Sequence, residues 1–109
     1  MHDKARYAVI FTSQLSGEDS RGYGETASRM EQLAWRQAGF CGIRSVRDEA
    51  GLGITVSYWD SLEAICRWRD QAEHEMAQYY GRTRWYRDYQ LQVTRIERQY
   101  KYPTGAGRG

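Results

Sequence analysis

The alternation of apolar and polar residues divides the chain into six regular elements. Residues 5–14 place Tyr7, Val9 and Phe11 on one side and Ala8 and Ile10 on the other, which predicts a strand that is apolar on both faces. A connection rich in Ser, Gly and Asp covers residues 15–24. Beyond it, apolar residues recur at steps of three and four and predict a first helix that stops at Gly39: Tyr23, Ala27, Met30, Ala34 and Ala38.

The second half of the chain predicts a hairpin, a helix and a final strand. Residues 40–48 and 53–59 are two strand-like runs joined by a short link that contains Gly51. Asp60 is the predicted N-cap of the second helix, since Glu63 follows it by three residues. The buried stripe of that helix is predicted to be Leu62, Ile65, Cys66, Met76 and Tyr80, and its end lies near Gly81. Residues 85–100 predict a long last strand with a bulge near Thr94.

This order of elements predicts a ferredoxin-like α+β fold, βαββαβ, in which a four-stranded antiparallel sheet carries both helices on one face. The second face of the sheet then lacks a cover, although Ala8 and Ile10 make it apolar. We therefore expect two subunits to pack their sheets together as a homodimer. Residues 1–102 are expected to form one domain, and residues 103–109 a disordered tail.

Composition narrows the classes of function. A chain of 109 residues with 40% hydrophobic and 28% charged residues suits a single globular domain. The net charge of only +2, with both signs interspersed, argues against a nucleic-acid partner. No secretion signal and no run of ~18 apolar residues occurs, so we expect a cytoplasmic protein without membrane contact. Cys41 and Cys66 are expected to be small buried thiols rather than a disulfide or a metal site.

His74 is the first candidate for proton chemistry, because it is the only histidine beyond the extreme N-terminus. On an unbroken helix, at about 100° per residue, His74 and Trp68 point in different directions. Three roles for His74 therefore stay open: packing or a subunit contact, the wall of a pocket, or an exposed position. One usable histidine and two separated thiols predict no metal site.

Aromatic and polar side chains predict a small-molecule pocket between the sheet and the second helix. An aromatic wall would stack on a flat ligand, although core packing is the alternative for each ring. The members of that wall are Trp59, Trp68, Tyr79, Trp85 and Tyr89. The polar groups available to it are Tyr58, Ser57, Arg47 and Arg82, where the two arginines could instead be solvated or ion-paired. RNA binding is disfavoured because the third strand lacks an RNP1-like start.

Several short motifs between Gly39 and Tyr89 resemble those of the antibiotic biosynthesis monooxygenase superfamily. They are Gly39-Phe40 with Gly42, residues 45–48, residues 53–59, Trp68, His74, Ala77-Gln78, Gly81-Arg82 and Trp85-Tyr86. The resemblance extends over about residues 5–100. It implies a dimeric α+β barrel, and members of the superfamily include cofactor-independent oxygenases of aromatic substrates, quinol oxygenases and haem-degrading oxygenases.

The resemblance implies a cofactor-independent monooxygenase-like protein that binds an aromatic or quinol-like molecule. His74 and Tyr58 would then be catalytic, and the remaining pocket residues would bind substrate. A non-catalytic homodimeric binding or interaction protein is the alternative. Haem binding or degradation is a third possibility, in which His74 would hold the iron beside Trp59 or Trp68. Haem-degrading members use an Asn on the first strand, whereas this sequence contains no Asn and offers Gln14 at the strand's end.

Overall fold

The structure of the protein is a computed structural model that describes residues 4–18, 20–79 and 85–103, with the backbone alone for Ser20 and residues 75–79. The predicted order βαββαβ is confirmed. The elements are β1 (Tyr7–Leu15), α1 (Ser20–Trp35), β2 (Phe40–Arg47), β3 (Leu52–Trp59), α2 (Leu62–Tyr79) and β4 (Tyr86–Arg95).

All four strands pair antiparallel in the order β2-β3-β1-β4, as the ferredoxin-like fold requires. Tyr7 on β1 lies opposite Trp59 on β3 and opposite Arg95 on β4. Because successive side chains on a strand point to opposite faces, this register assigns every strand residue to the helix side or to the outer side of the sheet.

The hydrophobic core lies between the sheet and the two helices. Its buried members are Val9, Ala34, Trp59, Ala64 and Ile65, and partly buried Tyr7, Phe40 and Trp68 pack against them. Both helices contribute alanines to this layer, so they approach the large Trp59 ring closely. Burial of one large indole against small helix residues therefore defines the centre of the fold.

Helix α1 begins earlier and ends earlier than predicted. It starts at Ser20, inside the predicted connection, and it contains Gly22 and Gly24 in its first turns. Tyr23 packs edge-on against the rings of Trp85 and Tyr86, so tertiary contacts hold a glycine-containing turn that local propensity disfavours. At the other end, the amide of Arg36 donates to the Leu33 carbonyl at 3.2 Å, a tighter turn that closes the helix before Ala38.

Ser61, not Asp60, caps α2. The Ser61 hydroxyl accepts a hydrogen bond from the Ala64 amide at 3.1 Å, whereas the Asp60 amide donates to the Gly39 carbonyl at 2.9 Å. The buried stripe is also shifted from the predicted one, because Ala64, Ile65 and Trp68 face the sheet. Of the predicted members, only Ile65 is buried; Leu62 is 50% exposed and Cys66 is exposed, and the side chains of Met76 and Tyr80 lie outside the described residues.

Strand β4 is shorter than predicted and regular where a bulge was expected. Thr94 pairs with Ala8, and its hydroxyl donates to the Ala8 carbonyl at 3.0 Å. The irregularity lies at the start of the strand, where Asp88 faces Gln14 but Tyr86 faces Leu15, so that Arg87 is the extra residue. The disordered tail was predicted for residues 103–109, and all of these except Pro103 lie outside the described residues.

The two cysteines are not buried as predicted. Cys66 is exposed on α2, and Cys41 is half-buried, with its thiol donating to the Gly39 carbonyl at 3.5 Å. Partial burial raises the pKa of the Cys41 thiol, and the nearby Asp60 carboxylate raises it further, so the reactive thiolate is disfavoured there. Among the described helices, none has the length and apolar character needed to cross a bilayer.

Gly39 and Gly24 should respond in opposite ways to alanine. Gly39 has a φ of +92°, and an added Cβ would lie 2.7 Å from the Ala64 Cβ, so Gly39→Ala should lower the free energy of unfolding by about 2–3 kcal/mol. Gly24 lies within α1 with open space around it, so Gly24→Ala should raise that free energy by about 0.5–1 kcal/mol. Urea unfolding measures both, and equal effects of the two substitutions would contradict the close packing of α2 on Gly39.

Candidate functional site

His74 lies on the exposed side of an unbroken α2. With Leu33, Asp70 and Gln71 it borders an open depression of about 380 Å³ between the two helices. Trp68 faces the core from the same helix, so the two side chains point apart, as the helical geometry predicts. The described surroundings of His74 contain one apolar residue and therefore do not fit haem, which needs an apolar slot next to its axial ligand.

Tyr58 lies on the opposite side of the sheet from α2. It pairs with Ala8 and Gly42, and it is half-buried on the outer face. The sheet therefore separates Tyr58 from His74, and one subunit does not bring these two predicted catalytic residues together. Because successive side chains of a strand point to opposite faces, the sequence already indicates that Tyr58 and its neighbours Ser57 and Trp59 lie on opposite faces of the sheet.

Ser57 and Trp59 belong to the buried core rather than to an open pocket wall. The indole Nε1–H of Trp59 donates to the Ser57 hydroxyl at 2.9 Å, and both residues are buried. The Trp59 ring meets Phe40 edge-on at 5.2 Å between ring centroids and lies tilted against Trp68 at 5.5 Å. These contacts satisfy the polar atom of Trp59 and fill its surroundings with protein atoms.

Trp68 differs from Trp59 in its polar atom. Its Nε1 is buried, yet no acceptor among the described residues lies within hydrogen-bond distance. A buried donor without a partner costs free energy, and such atoms are uncommon in folded proteins. Trp68 is thus a donor available to a polar atom that enters between α2 and the sheet.

Arg47 is held by protein acceptors on the helix side of the sheet. Its Nη1 donates to the carbonyls of Gly51 at 2.6 Å and Ser13 at 3.3 Å. Its Nη2 donates to the Ser13 hydroxyl at 2.8 Å and to the Tyr23 hydroxyl at 3.0 Å. The guanidinium lies directly over Gly53, where a Cβ would collide with it. Both terminal nitrogens are engaged in this way, so Arg47 joins β1, the β2–β3 turn and α1, and its predicted role in ligand binding stays a prediction.

Tyr23 and Tyr86 form a hydroxyl pair next to Arg47. Burial raises the pKa of Tyr86 well above its usual range, and the adjacent Tyr23 hydroxyl, which is hydrogen-bonded to it, raises it further. Arg47 opposes this effect without overcoming it. Tyr86 is therefore a protonated hydrogen-bond donor at neutral pH.

Aromatic rings surround this tyrosine pair. Phe11 meets Tyr86 edge-on at 5.5 Å between centroids and lies 5.6 Å from Tyr89. Trp85 is buried and meets Tyr23 at 6.1 Å, whereas Tyr89 is 63% exposed. Two of the predicted aromatic residues, Trp85 and Tyr89, are thus brought together around Tyr23 and Tyr86.

Sequence reasoning missed the polar members of this cluster. The helical pattern identifies Tyr23 only as one of the apolar residues of α1, and Ser13 lies near the end of a predicted strand with no sign of a chemical role. Their contact with Arg47 follows from the strand register, which no local pattern in the sequence indicates.

The side chain of Tyr79 and the whole of Arg82, both predicted to bind substrate, lie outside the described residues. Among the described residues, no group of His, Cys, Asp and Glu is arranged to hold a metal ion.

Comparison with known proteins gives one relative of high identity and several similar structures. The chain is 53% identical over 93 residues to the uncharacterized protein YqjZ of Bacillus subtilis, covering 85% of this chain and 81% of YqjZ. No family model matches the sequence.

Two solved structures illustrate the fold similarity. SnoaB, a cofactor-independent oxygenase from Streptomyces nogalater, superposes with a TM-score of 0.71 at 14% identity, covering 92% of this chain and 99% of SnoaB. A Nitrosomonas europaea protein named "Putative antibiotic biosynthesis monooxygenase" also superposes with a TM-score of 0.71, at 10% identity, covering 93% of this chain and 95% of the Nitrosomonas chain. The chain belongs to the family of YqjZ, and it shares its fold with SnoaB and with the Nitrosomonas europaea protein.

Proposed function

We propose that the protein is a homodimer in which each subunit binds an aromatic or quinol-like molecule beside the Tyr23–Tyr86 pair. The bound molecule is then oxidised by O₂, and no cofactor takes part in the reaction. The observation that carries this proposal is a hydroxyl pair, held by Arg47, at the edge of an exposed aromatic surface. The similarity in fold to SnoaB, itself a cofactor-independent oxygenase, supports the chemical class.

The binding surface is the helix side of β1 and β4. Phe11, Tyr89, Leu91 and Val93 share this side through the register, and Tyr89, Leu91 and Val93 are 63%, 44% and 47% exposed. Contiguous exposed apolar side chains on a folded protein mark sites for a ligand or a partner. A flat ring would stack on Phe11 and Tyr89 and cover the two aliphatic residues.

The tyrosine pair supplies one hydrogen-bond donor to such a ligand. Two hydroxyls carry two hydrogens, and the bond between them uses one. Arg47 donates to the Tyr23 oxygen and consumes no hydroxyl hydrogen. Whichever way the internal bond runs, one O–H remains to donate to a carbonyl or an oxyanion, with the positive charge of Arg47 directly behind it.

This donor favours the anionic form of a substrate such as an anthrone-type ketone. Loss of a proton from its CH₂ group to solvent leaves an enolate, whose oxygen would accept the tyrosine hydrogen bond. The electron-rich enolate can then pass electrons to O₂. Overall the CH₂ carbon loses two hydrogens and gains one oxygen atom while the other oxygen atom leaves as water, so the substrate supplies all four electrons.

Binding without turnover is the second candidate, and the position of His74 favours it. A general base must come within hydrogen-bond reach of the proton it removes. Because His74 lies on the exposed side of α2, the described residues bring no imidazole to the tyrosine pair. The oxygenase reaction therefore relies on anion stabilisation alone.

The homodimer is proposed from the outer face of the sheet. Apolar side chains from three strands share that face through the register: Ile10, Val46, Leu52, Ile54 and Val56. Val46, Leu52 and Ile54 are exposed in the single subunit. Two sheets packed face to face would remove this surface from water.

Oxygen uptake tests turnover. With an anthrone-type substrate in air, the wild-type protein should accelerate uptake, and the double substitution Tyr23→Phe with Tyr86→Phe should reduce the rate about 10- to 100-fold by removing both hydroxyls that could donate to the oxyanion. Tyr100→Phe, on an exposed ring, is the control. Ligand binding without oxygen uptake would support the non-catalytic function. A loss of rate in His74→Ala but not in the double tyrosine variant would place the chemistry at the histidine instead.

Alkaline unfolding tests the state of Tyr86. Its folded-state pKa is raised, so the folded protein holds this proton more tightly than the unfolded chain does. The resulting stability is complete below about pH 10 and is lost as pH rises above it. Urea unfolding between about pH 8 and 11 should show a smaller decline for Tyr86→Phe than for the wild type or Tyr100→Phe. An unchanged decline would mean that Tyr86 is not the group responsible.

Light scattering tests the dimer. The wild-type mass at micromolar concentration should be twice that of one chain. Ile54→Glu should give a monomer because it puts a charge in the middle of the proposed interface, whereas Leu62→Glu, at an exposed apolar residue of α2, should remain dimeric. A monomeric wild type would overturn the proposed assembly.

A further inference from the structure

A cleft lies on the helix side of the sheet, at the end opposite the Tyr23–Tyr86 pair. It is open to solvent, has a volume of about 1040 Å³, and is bordered by the start of β1, the β3–α2 junction and the segment after β4. Arg95, at this end, pairs with Tyr7, whereas Tyr89 pairs with Ser13. Six residues of extended strand separate the two positions on β4, which is about 20 Å.

The lining of this cleft is strongly basic. Its cations are Lys4, Arg6, Arg67, Arg95 and Arg98, and its carboxylates are Asp60 and Glu97. The lining therefore carries a net charge of +3, more than the +2 of the whole chain. Positive charge is concentrated here while the rest of the molecule is nearly neutral, which attracts anions to the cleft.

The cations of the cleft are not paired with carboxylates of the described residues. Among the described residues, none of the five forms an ion pair with a carboxylate within 4 Å. Asp60 is directed towards Gly39, since its Oδ1 would lie 2.5 Å from a Cβ at that position. Four guanidinium groups, each able to bind an oxyanion through two nitrogens, are therefore available at one site.

Backbone hydrogen bonds hold the segments of the cleft together. The Arg6 amide donates to the Trp59 carbonyl at 2.8 Å, and the Arg6 carbonyl accepts from the Ile96 amide at 2.8 Å. The Gln99 side chain donates to the Ala5 carbonyl at 3.4 Å, which ties the segment after β4 to the start of β1. The backbone at the start of β1, at the end of β3 and after β4 is thus held in place, so an anion need not order these segments in order to bind.

We propose that this cleft binds a small dissolved polyanion that carries two or more negative charges on phosphate or carboxylate groups. A single charge would leave most of the cations unpaired, whereas a molecule such as pyrophosphate or citrate engages several at once. The site is separate from the aromatic surface and does not depend on the proposed oxygenase function. The proposed anion site is formed by the start of β1, the β3–α2 junction, the first turns of α2 and the segment after β4.

Isothermal titration of the full chain with pyrophosphate and with citrate at low ionic strength tests the proposal. Both should bind with a stoichiometry of one per subunit, and Arg67→Gln and Arg95→Gln should each weaken binding about three- to tenfold. Arg69→Gln is the matched control, because Arg69 is an exposed arginine of α2 outside the cleft. Higher salt should weaken binding, since about 0.1 M salt reduces the screening length to about 10 Å.

Three results would overturn the proposal: no saturable binding of either anion, equal weakening by Arg69→Gln, or displacement of pyrophosphate by a short single-stranded oligonucleotide that binds more tightly. The last would assign the cleft to nucleic acid. Thermal unfolding of each variant checks that it remains folded. Tyr86→Phe should bind pyrophosphate like the wild type, which separates a failure at this cleft from a failure at the aromatic surface.

Discussion

Burial of the Trp59 indole is the constraint on which the rest of the structure depends. Trp59 ends β3, pairs with Tyr7 on one side and Phe40 on the other, and accepts the Arg6 amide on its carbonyl. Its own N–H is satisfied by Ser57, so the ring can be fully buried without a polar penalty. Small side chains, Ala34 of α1 and Ala64 of α2, allow both helices to pack close to this large ring.

The position of the helices follows from that packing, and the position of the helices in turn decides which parts of the sheet stay exposed. Both helices pack over the side of the sheet that contains β2 and β3, and β4 at the other edge keeps its helix-side residues exposed. The uncovered strip is apolar between Tyr89 and Val93 and basic at Arg95. Two surfaces of different chemistry, one apolar and one basic, therefore lie at the two ends of the same strand.

Arg47 shows how structural and chemical roles combine in a small domain. Its guanidinium joins three segments through neutral oxygens and so needs no carboxylate partner to be held in place. The same charge lies beside the Tyr23 hydroxyl and polarises the tyrosine pair. Replacing the arginine would disturb the framework and the donor together, so the informative substitutions are those of the tyrosines.

The sequence by itself determined the order of the elements and the two-sided character of β1, because strand and helix periods are local properties of the chain. Sequence similarity also placed the protein in its family. It did not determine which residue caps α2, because Asp60 and Ser61 are both suitable N-cap residues and the structure uses Ser61. It also did not determine which face of α2 is buried, since Ala64 is buried and Leu62 is exposed. Nor did it bring Arg47, Tyr23 and Tyr86 together. Those outcomes depend on register and on packing against Trp59, which are contacts between residues distant in the chain, and only the tertiary structure decides them.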